Sequence, residues 1–535
     1  MTSSTFQSNS PFYPSRARWR RISDLFCWIV LVGLNGCLNS ARQTPEGSAN
    51  RLKSDEIELI QSVGPQVKAF CGDCHAMPRP TSSPVDEWEM EIIQGFDLYR
   101  QSGRTDLNVP EQLNVERFFK LQAPAELALP VPSTLNYPPA ELPHQQSFVR
   151  QERRRPPGVT HLGWYDLGLE STPGNAILYC DIGNGSVNAI WPNESQTEPK
   201  RLATLLQPVH LDVGDLDQDG NLDVLVADIG EFNAADSDLG RMVWLRAKGD
   251  ESFETVVLAD NLSRPSDIRA ADFDGDGDTD VLCATFGWRN SGETFLLVNE
   301  GNGPDGKPTF RRKLLDPRHG TVHVPIVDFE GDGDLDFVAL ISQEHERIEL
   351  FRNDGQGNFE SELIWAAPDP AYGSSGIELV DMDGDGDLDI LYTNGDSFDR
   401  GAKPYHSVQW LENDGELPME RHQIGLMPGV LNATAGDFDL DGDMDVIAVA
   451  LLARDVSSKW VEQGSSPIVL FRQNSDGTFE PSRLPSRFHD HLSVIQADFN
   501  QDGKPDFATG SFFRVIGNYD PKELEQPELM IWKSE

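Results

Sequence analysis

Three groups of residues in this chain have types and spacings that do chemistry. The first is "CGDCH", in which Cys71 and Cys74 are spaced C-x-x-C and His75 follows directly. A zinc clip, a dithiol redox centre and a covalent haem all begin with that spacing. The second is a phrase that recurs six times, as in "ADFDGDGDTDVLC" and "VDMDGDGDLDILY", with acids at positions 1, 5 and 9, an acid or in one copy asparagine at 3, and glycine at 6. Oxygens so spaced face one centre in a tight loop, which suits a hard cation with six to eight oxygen ligands at about 2.3–2.6 Å, namely Ca²⁺. The third group lies five residues before the first acid of successive units and reads His161, His210, Asp267 and His323. Imidazoles beside a carboxylate can hold a transition metal or act as acid and base.

The six loops are Asp215, Asp217, Asp219 and Asp223; Asp272, Asp274, Asp276 and Asp280; Asp328, Glu330, Asp332 and Asp336; Asp381, Asp383, Asp385 and Asp389; Asp437, Asp439, Asp441 and Asp445; and Asp498, Asn500, Asp502 and Asp506. Their first acids are 57, 56, 53, 56 and 61 residues apart, a period that indicates a solenoid, propeller or array. Between loops, "LFRNDGQGNFESELI" and "LFRQNSDGTFEPSRL" read as strand, Gly-containing turn, strand. Each unit then offers about four short strands and no helical pattern, the content of a propeller blade.

One period before Asp215, "VTHLGWYDLG" and "AILYCDIGNGSVNAIW" repeat the flanking strands without the acids, which predicts a seventh, metal-free blade at the start of the array. The last unit stops at "ELMIWKSE" without an outer strand, and "SFVRQERRR" from Ser147 has the missing sequence. The strand near Phe148 is therefore expected to complete the last blade and close the ring, leaving no open edge.

These units resemble the FG-GAP or VCBS repeats of the integrin α-subunit propeller over residues 146–535. The resemblance implies that each calcium loop follows the innermost strand of its blade. Glu330 departs from the Asp or Asn usual at position 3, which implies a weaker third site. If that strand is innermost, one face lines the channel. It carries His161, His210, Asp267, His323, Gly376, Asn432 and Ser493, then Gly163, Asp212, Arg269, Pro325, Glu378, Thr434 and Ile495 two residues on. The mouth opposite the calcium loops would present His161, His210, Asp267 and His323 as candidate catalytic or metal-binding groups. A water-filled polar channel and histidines that only bond the rim loops are the alternatives.

Around the cysteines, Ile57, Ile60, Val63, Val67 and Phe70 recur at helical spacing up to Cys71. A second helix is expected from Ser83-Pro84 through Trp88, Ile92 and Tyr99, and a third over 110–121 through Leu113, Phe118 and Phe119. Zinc would need a second ligand pair nearby, and a thioredoxin-like dithiol a βαβ context; neither is present. C-x-x-C-H at a helix end instead resembles a class I cytochrome c over residues 54–125. This implies thioethers from Cys71 and Cys74 to haem c and His75 as the proximal iron ligand. The usual distal methionine has no counterpart between residues 91 and 122, which leaves Met90, His144 or an open position.

The chain of 535 residues carries 87 acidic and 44 basic residues, a net charge of −43. Nucleic acid and anionic lipid would be repelled by it. Six bound Ca²⁺ would bring that charge to −31. At the N-terminus, Arg16, Arg18, Arg20 and Arg21 precede the apolar "LFCWIVLVGL", the length of a secretory signal rather than a membrane span. "LNGC", Leu34 to Cys37, resembles the bacterial lipoprotein cleavage box, which implies a lipid on Cys37. Cys180 and Cys283 lie in strand-like runs of different units and are expected as buried free thiols.

The expected order is thus a signal (1–37), a linker (38–53), a small all-α cytochrome c-like haem domain (54–125), a linker (126–145) and an all-β seven-bladed propeller (146–535). The expected protein is exported, periplasmic or at the cell surface, and anchored to the membrane through Cys37. Its cofactors are haem c and up to six Ca²⁺; its work is electron transfer and the binding of a ligand or redox partner protein. An oxidoreductase whose propeller mouth passes electrons to the haem is the alternative from another class, although the vicinal cysteines and tryptophan-rich repeats of quinoprotein dehydrogenases are missing. Adhesion is the third, on the integrin likeness alone.

Overall fold

The computed structural model describes residues 52–534 except 128–134, 152–154, 193–197, 305, 399–400, 489 and 514–523. The signal (1–37), the Cys37 anchor and the linker up to residue 51 lie outside the described residues.

Strands of the described residues form seven sheets, and these are the blades of a seven-bladed propeller. The second strand of each blade, such as Asp223–Asp228 or Asp336–Ile341, is buried along its whole length, save for Asn175 at the start of the first blade's. Such strands are covered on both faces, which is why "DVLVAD" and "DFVALI" are nearly continuous apolar runs rather than alternating ones. Outer strands such as Phe253–Leu262 alternate between partly buried and exposed residues, as a surface strand must.

Alternate residues of a second strand feed two different cores. Leu178 packs with Val226 and Val243 of the second blade, while its neighbours Ile177 and Tyr179 pack with Phe499 and Ile531 of the seventh. Each blade is thereby glued to both neighbours, at about 1.5–3 kcal/mol for every large apolar side chain taken fully out of water. Cys180 and Cys283 are buried in these cores as free thiols.

The ring closes as the sequence predicts. Strand His144–Val149 pairs with Leu529–Ser534, the last strand of the chain, as the outer strand of the seventh blade. The stretch before it is not a free linker, however. Leu135 is buried in the core between the fifth and sixth blades, Tyr137 donates a hydrogen bond to the Leu426 carbonyl, and Ala140 donates one to Arg483 of the sixth blade. Apolar residues at 135, 137, 140 and 142 explain why this strap packs.

Two further features depart from expectation. The innermost strand of the fourth blade is split into Thr321–His323 and Ile326–Val327, because Pro325 has no N–H for the ladder. The sixth blade contains a helix between its second and third strands, introduced below as α4.

The N-terminal helices are α1 (Ser54–Cys71), α2 (Trp88–Gln101) and α3 (Gln112–Lys120); α4 spans Arg454–Glu462. Trp88 stacks on Phe119 at 4.2 Å and Val67, Ile92, Phe96 and Val115 fill the space around them. Ile57 and Leu113, expected on the inner faces, are exposed, and α2 begins four residues after Pro84. With three short helices there is too little interior for every apolar residue. In α4, Trp460 is fully buried and its indole N–H bonds the Ala402 carbonyl at 2.9 Å.

Candidate functional site

The innermost strands of all seven blades stand side by side around a central channel. In six of them the ladder slips at the mouth end, for example between Val159 and His161, Pro208 and His210, or Pro265 and Asp267. A bulge there re-aims the next side chain. It turns His161, His210, Asp267 and His323 inward from neighbouring blades.

They form one connected group. His210 Nδ1 lies 3.1 Å from Asp267 Oδ1, and His323 Nδ1 lies 3.6 Å from Asp267 Oδ2. The rings of His161 and His210 are 3.8 Å apart. Arg269 completes the group: its Nε is 2.9 Å from Asp267 Oδ1 and its Nη2 is 3.2 Å from His210 Nε2. Burial pushes the His161 imidazole down to about 3, with Arg269 adding to the effect, and burial holds His210 well below its usual range. Burial would raise Asp267, but Arg269 and then His210 hold its carboxyl well below the usual carboxylate range. Two consequences follow. A metal at Asp267 would have to displace a guanidinium, and imidazoles that resist protonation are poor bases at neutral pH. The group is better built to hydrogen-bond a polar ligand, and His161 Nε2 is buried without a partner.

Deeper in the channel, Tyr165, which the sequence reading passed over, donates to Asp212 at 3.0 Å. Burial raises Glu378 to about 7, against a hydrogen bond from the Thr434 hydroxyl at 3.2 Å.

The helical segment sits over the same mouth. The Arg79 N–H donates to Asp369 Oδ2 at 2.7 Å, between the fourth and fifth blades. A cavity of about 1710 Å³ is lined by Cys71, Cys74 and His75 from the helices and by His161, His210 and His323 from the channel. Phe70, Trp88, Ile92, Phe96 and Tyr99 give it an apolar wall.

These residues fit haem c. Cys71 and Cys74 are free thiols, not a disulfide, and burial pushes Cys71 up to about 11. His75 Nδ1 is 2.8 Å from the Ala76 carbonyl, so Nε2 is the atom left to ligate. The two proposed distal ligands do not fit. Met90 is 65% exposed and off the cavity wall, because it lies on the outer face of α2. His144 bonds the Pro505 carbonyl at 3.1 Å, beside the sixth acidic loop at the far end of the channel.

At that far end the loops have the expected turn. The sixth-position glycines have φ between 83° and 101° in Gly220, Gly277, Gly333, Gly386, Gly442 and Gly503, a region open to glycine. The first acid of each accepts two loop N–H groups, as Asp272 does from Gly275 and Gly277. Asp272, Asp274 and Asp276 bring ligand atoms within 4.8 Å of one another, as do Asp381, Asp383 and Asp385, and Asp215, Asp217 and Asp223.

Two properties of the loops were not read from the sequence. The ninth acid is a strand clasp: Asp280 accepts from Phe273 N at 3.1 Å and Asn299 N at 2.7 Å, and the other five do likewise. The third position differs from blade to blade. Arg246 pairs with Asp217, Arg352 with Glu330, and Arg472 with Asp439 at 2.7 Å. The matching residues of the third and fifth blades are Val298 and Glu412. The signal was the arginine of "WLRAK", "LFRND" and "LFRQN", visible once the third strands are aligned.

Comparison with known proteins agrees with this architecture. FG-GAP-like repeats match at residues 215–283, 272–339 and 328–392. Residues 215–392 thus carry FG-GAP-like repeats. Human (Homo sapiens) cartilage acidic protein 1 is 23% identical over 286 residues, covering 48% of this chain. The chain spans 41% of that relative's length. A crystal structure of BBS1N in complex with ARL6DN, soaked with lead, superposes with a TM-score of 0.42 and 10% identity, covering 74% of this chain and 98% of the other. At that distance the count of seven blades rests on this chain's own strands. Such a propeller is a scaffold suited to ligand or protein binding and adhesion-like roles.

Proposed function

We propose that this is an exported, lipid-anchored haem c protein whose calcium-stabilised propeller offers its mouth as a binding site beside the haem. It would serve electron transfer coupled to the binding of a ligand or redox partner. One observation carries the reading: the C-x-x-C-H turn and the polar channel group open into a single cavity of about 1710 Å³, beyond the range of about 300–1,000 Å³ typical of small-molecule pockets. Cys71 and Cys74 would attach the haem, His75 would ligate its iron, and the bound group would supply one-electron chemistry. Neither Met90 nor His144 lines the cavity, so a bound haem would be free to take an external ligand. His161, His210 and Arg269 would orient a polar ligand from the propeller side by hydrogen bonds.

The test is to purify the full chain from a host competent for haem attachment and record its reduced spectrum with and without carbon monoxide. A covalent haem that binds the gas is expected. Cys71→Ala with Cys74→Ala should abolish haem staining on a denaturing gel, whereas His75→Ala should keep the stain and alter the spectrum. A colourless, zinc-loaded wild-type protein would overturn the reading.

An oxidoreductase reading rests on the same cavity. His161→Gln, His210→Gln and His323→Gln together should then remove substrate-driven haem reduction while sparing the haem spectrum. Unchanged reduction across a panel of small polar substrates leaves the binding role.

A further inference from the structure

Two short loops on the mouth face of the fourth blade bring two imidazoles and a carboxylate together, apart from the channel group. His319 lies in the connection between strands Pro308–Asp316 and Thr321–His323. Glu344 and His345 lie in the turn between Asp336–Ile341 and Arg347–Asn353. His319 Nε2 is 2.9 Å from Glu344 Oε1, and the two imidazole rings are 5.1 Å apart. One ligand atom from each of the three falls within 4.8 Å of the others. We propose that His319, Glu344 and His345 form a binding site for a divalent transition metal of the zinc class.

The donor set decides the class of ion. Two nitrogens and one carboxylate suit zinc and its neighbours rather than calcium, and three protein ligands leave a fourth position for water or a ligand. Glu344 also lines the large cavity, so that fourth ligand would come from there. A tetrahedral ion with bonds of about 2.0–2.2 Å holds its ligands roughly 3.3–3.6 Å apart, so small side-chain movements are enough.

A simple ion pair between His319 and Glu344 does not account for the third member. His345 Nε2 is buried with no hydrogen-bond partner. Such an orphan is costly, and coordination would relieve it. The channel group makes a useful contrast. There Arg269 already neutralises Asp267, whereas here the neighbouring Arg318 is engaged by Asp316 and Glu349.

The backbone also holds the two loops in place. Ser342 N donates to the Gly320 carbonyl at 2.8 Å, and Gly320 N donates to the Phe286 carbonyl at 2.8 Å. Gln343 and Glu346 flank the ligands with φ of 57° and 45°, a region that side chains rarely adopt. Strain of that kind gathers at ligand clamps. Gly292 of the third blade completes the fit, since a Cβ there would meet the His319 Cβ at 2.7 Å.

The experiment uses the full chain in saturating Ca²⁺, stripped of transition metals, with Zn²⁺ alone as the probe in competition with a chromogenic chelator. Wild type should bind one Zn²⁺ at micromolar or lower free zinc. Glu344→Gln, which keeps the size of the side chain, should weaken binding by about 10-fold or more, and His319→Gln with His345→Gln by about 100-fold or more. His210→Gln with His323→Gln should leave this zinc in place. Melting curves without zinc identify any variant that has lost its fold, and Glu344→Gln serves if the double variant has. The proposal is overturned if wild type takes up no zinc at about 100 μM, the outcome of an ion pair only. It is equally overturned if the His319 and His345 variant binds as wild type does, or if the His210 and His323 variant is the one that loses the metal. Repeating the titration on Cys71→Ala with Cys74→Ala removes any zinc taken up by free C-x-x-C-H thiols, so the result holds whether or not haem is attached.

Discussion

Glu378 is a carboxylate in a channel where, among the described residues, no basic side chain pairs with it; its hydrogen bonds come from Thr434 and Ala435. Its folded value of about 7 lies above the ordinary carboxylate range near 4.5. The folded state therefore holds a proton that the unfolded state has lost between those two values. The resulting stabilisation is full below about pH 4.5 and is lost as pH rises towards 7. Glu378 is only partly buried, which reduces the effect, so about 1–2 kcal/mol is a reasonable size. Denaturant unfolding of wild type and Glu378→Gln from pH 4.5 to 8 checks this: the variant should be flatter over that window and the more stable of the two at pH 8. A variant that tracks wild type at every pH would show that Glu378 titrates normally. At this scale the sequence was informative about residue types and positions, because period and alternation place His161, His210, Asp267 and His323 on one face. It could not reveal that Arg269 would turn onto Asp267, since a side chain's direction depends on neighbours from other blades.

A strand is legible when its neighbours are the same in every unit. The second strands announce themselves by apolar runs, and closure through Phe148 follows from one missing and one surplus strand. The mouth bulges have no local signature, because the slip is set by how seven innermost strands crowd around one channel. The helix α4 and the strap over 135–142 are single departures from the repeat, and a repeat-based reading passes over both. The strap yields a prediction. Leu135 and Val149 are 1% and 4% exposed, so their burial alone is worth about 3–6 kcal/mol. Deleting residues 1–127 should leave the propeller's melting temperature nearly intact, whereas deleting 1–150 should lower it by many degrees and expose the edge strand Leu529–Ser534. Equal melting temperatures for the two truncations would reject both the closure and the strap.

For the whole molecule, the net charge of −43 is concentrated in part at one end of the ring, where six loops carry twenty-three acids at their ligand positions. Carboxylates a few ångströms apart repel one another, and a cation bound only in the folded state adds stability by mass action. Removing Ca²⁺ with a chelator should therefore lower the melting temperature by many degrees, and restoring it should reverse the loss. The arginines make the six loops unequal. In the second, fourth and sixth blades a guanidinium pairs with Asp217, Glu330 or Asp439, so an incoming ion must displace it. In the third and fifth blades Asp274 and Asp383 have Val298 and Glu412 at the matching strand position, and burial together with neighbouring acids raises both carboxyls. Calorimetric titration should accordingly resolve a tight class of sites that includes these two loops and a weaker class at the arginine-bearing ones. Arg246→Ala, Arg352→Ala and Arg472→Ala together should move the weaker class towards the tight one, by about 10-fold for each 1.4 kcal/mol of ion pairing removed. The same variant should be less stable than wild type in chelator and gain more from calcium, because the guanidinium partly does the ion's electrostatic work in its absence. A single class of sites that the arginine substitutions do not move would show that the guanidiniums stand clear of the ions.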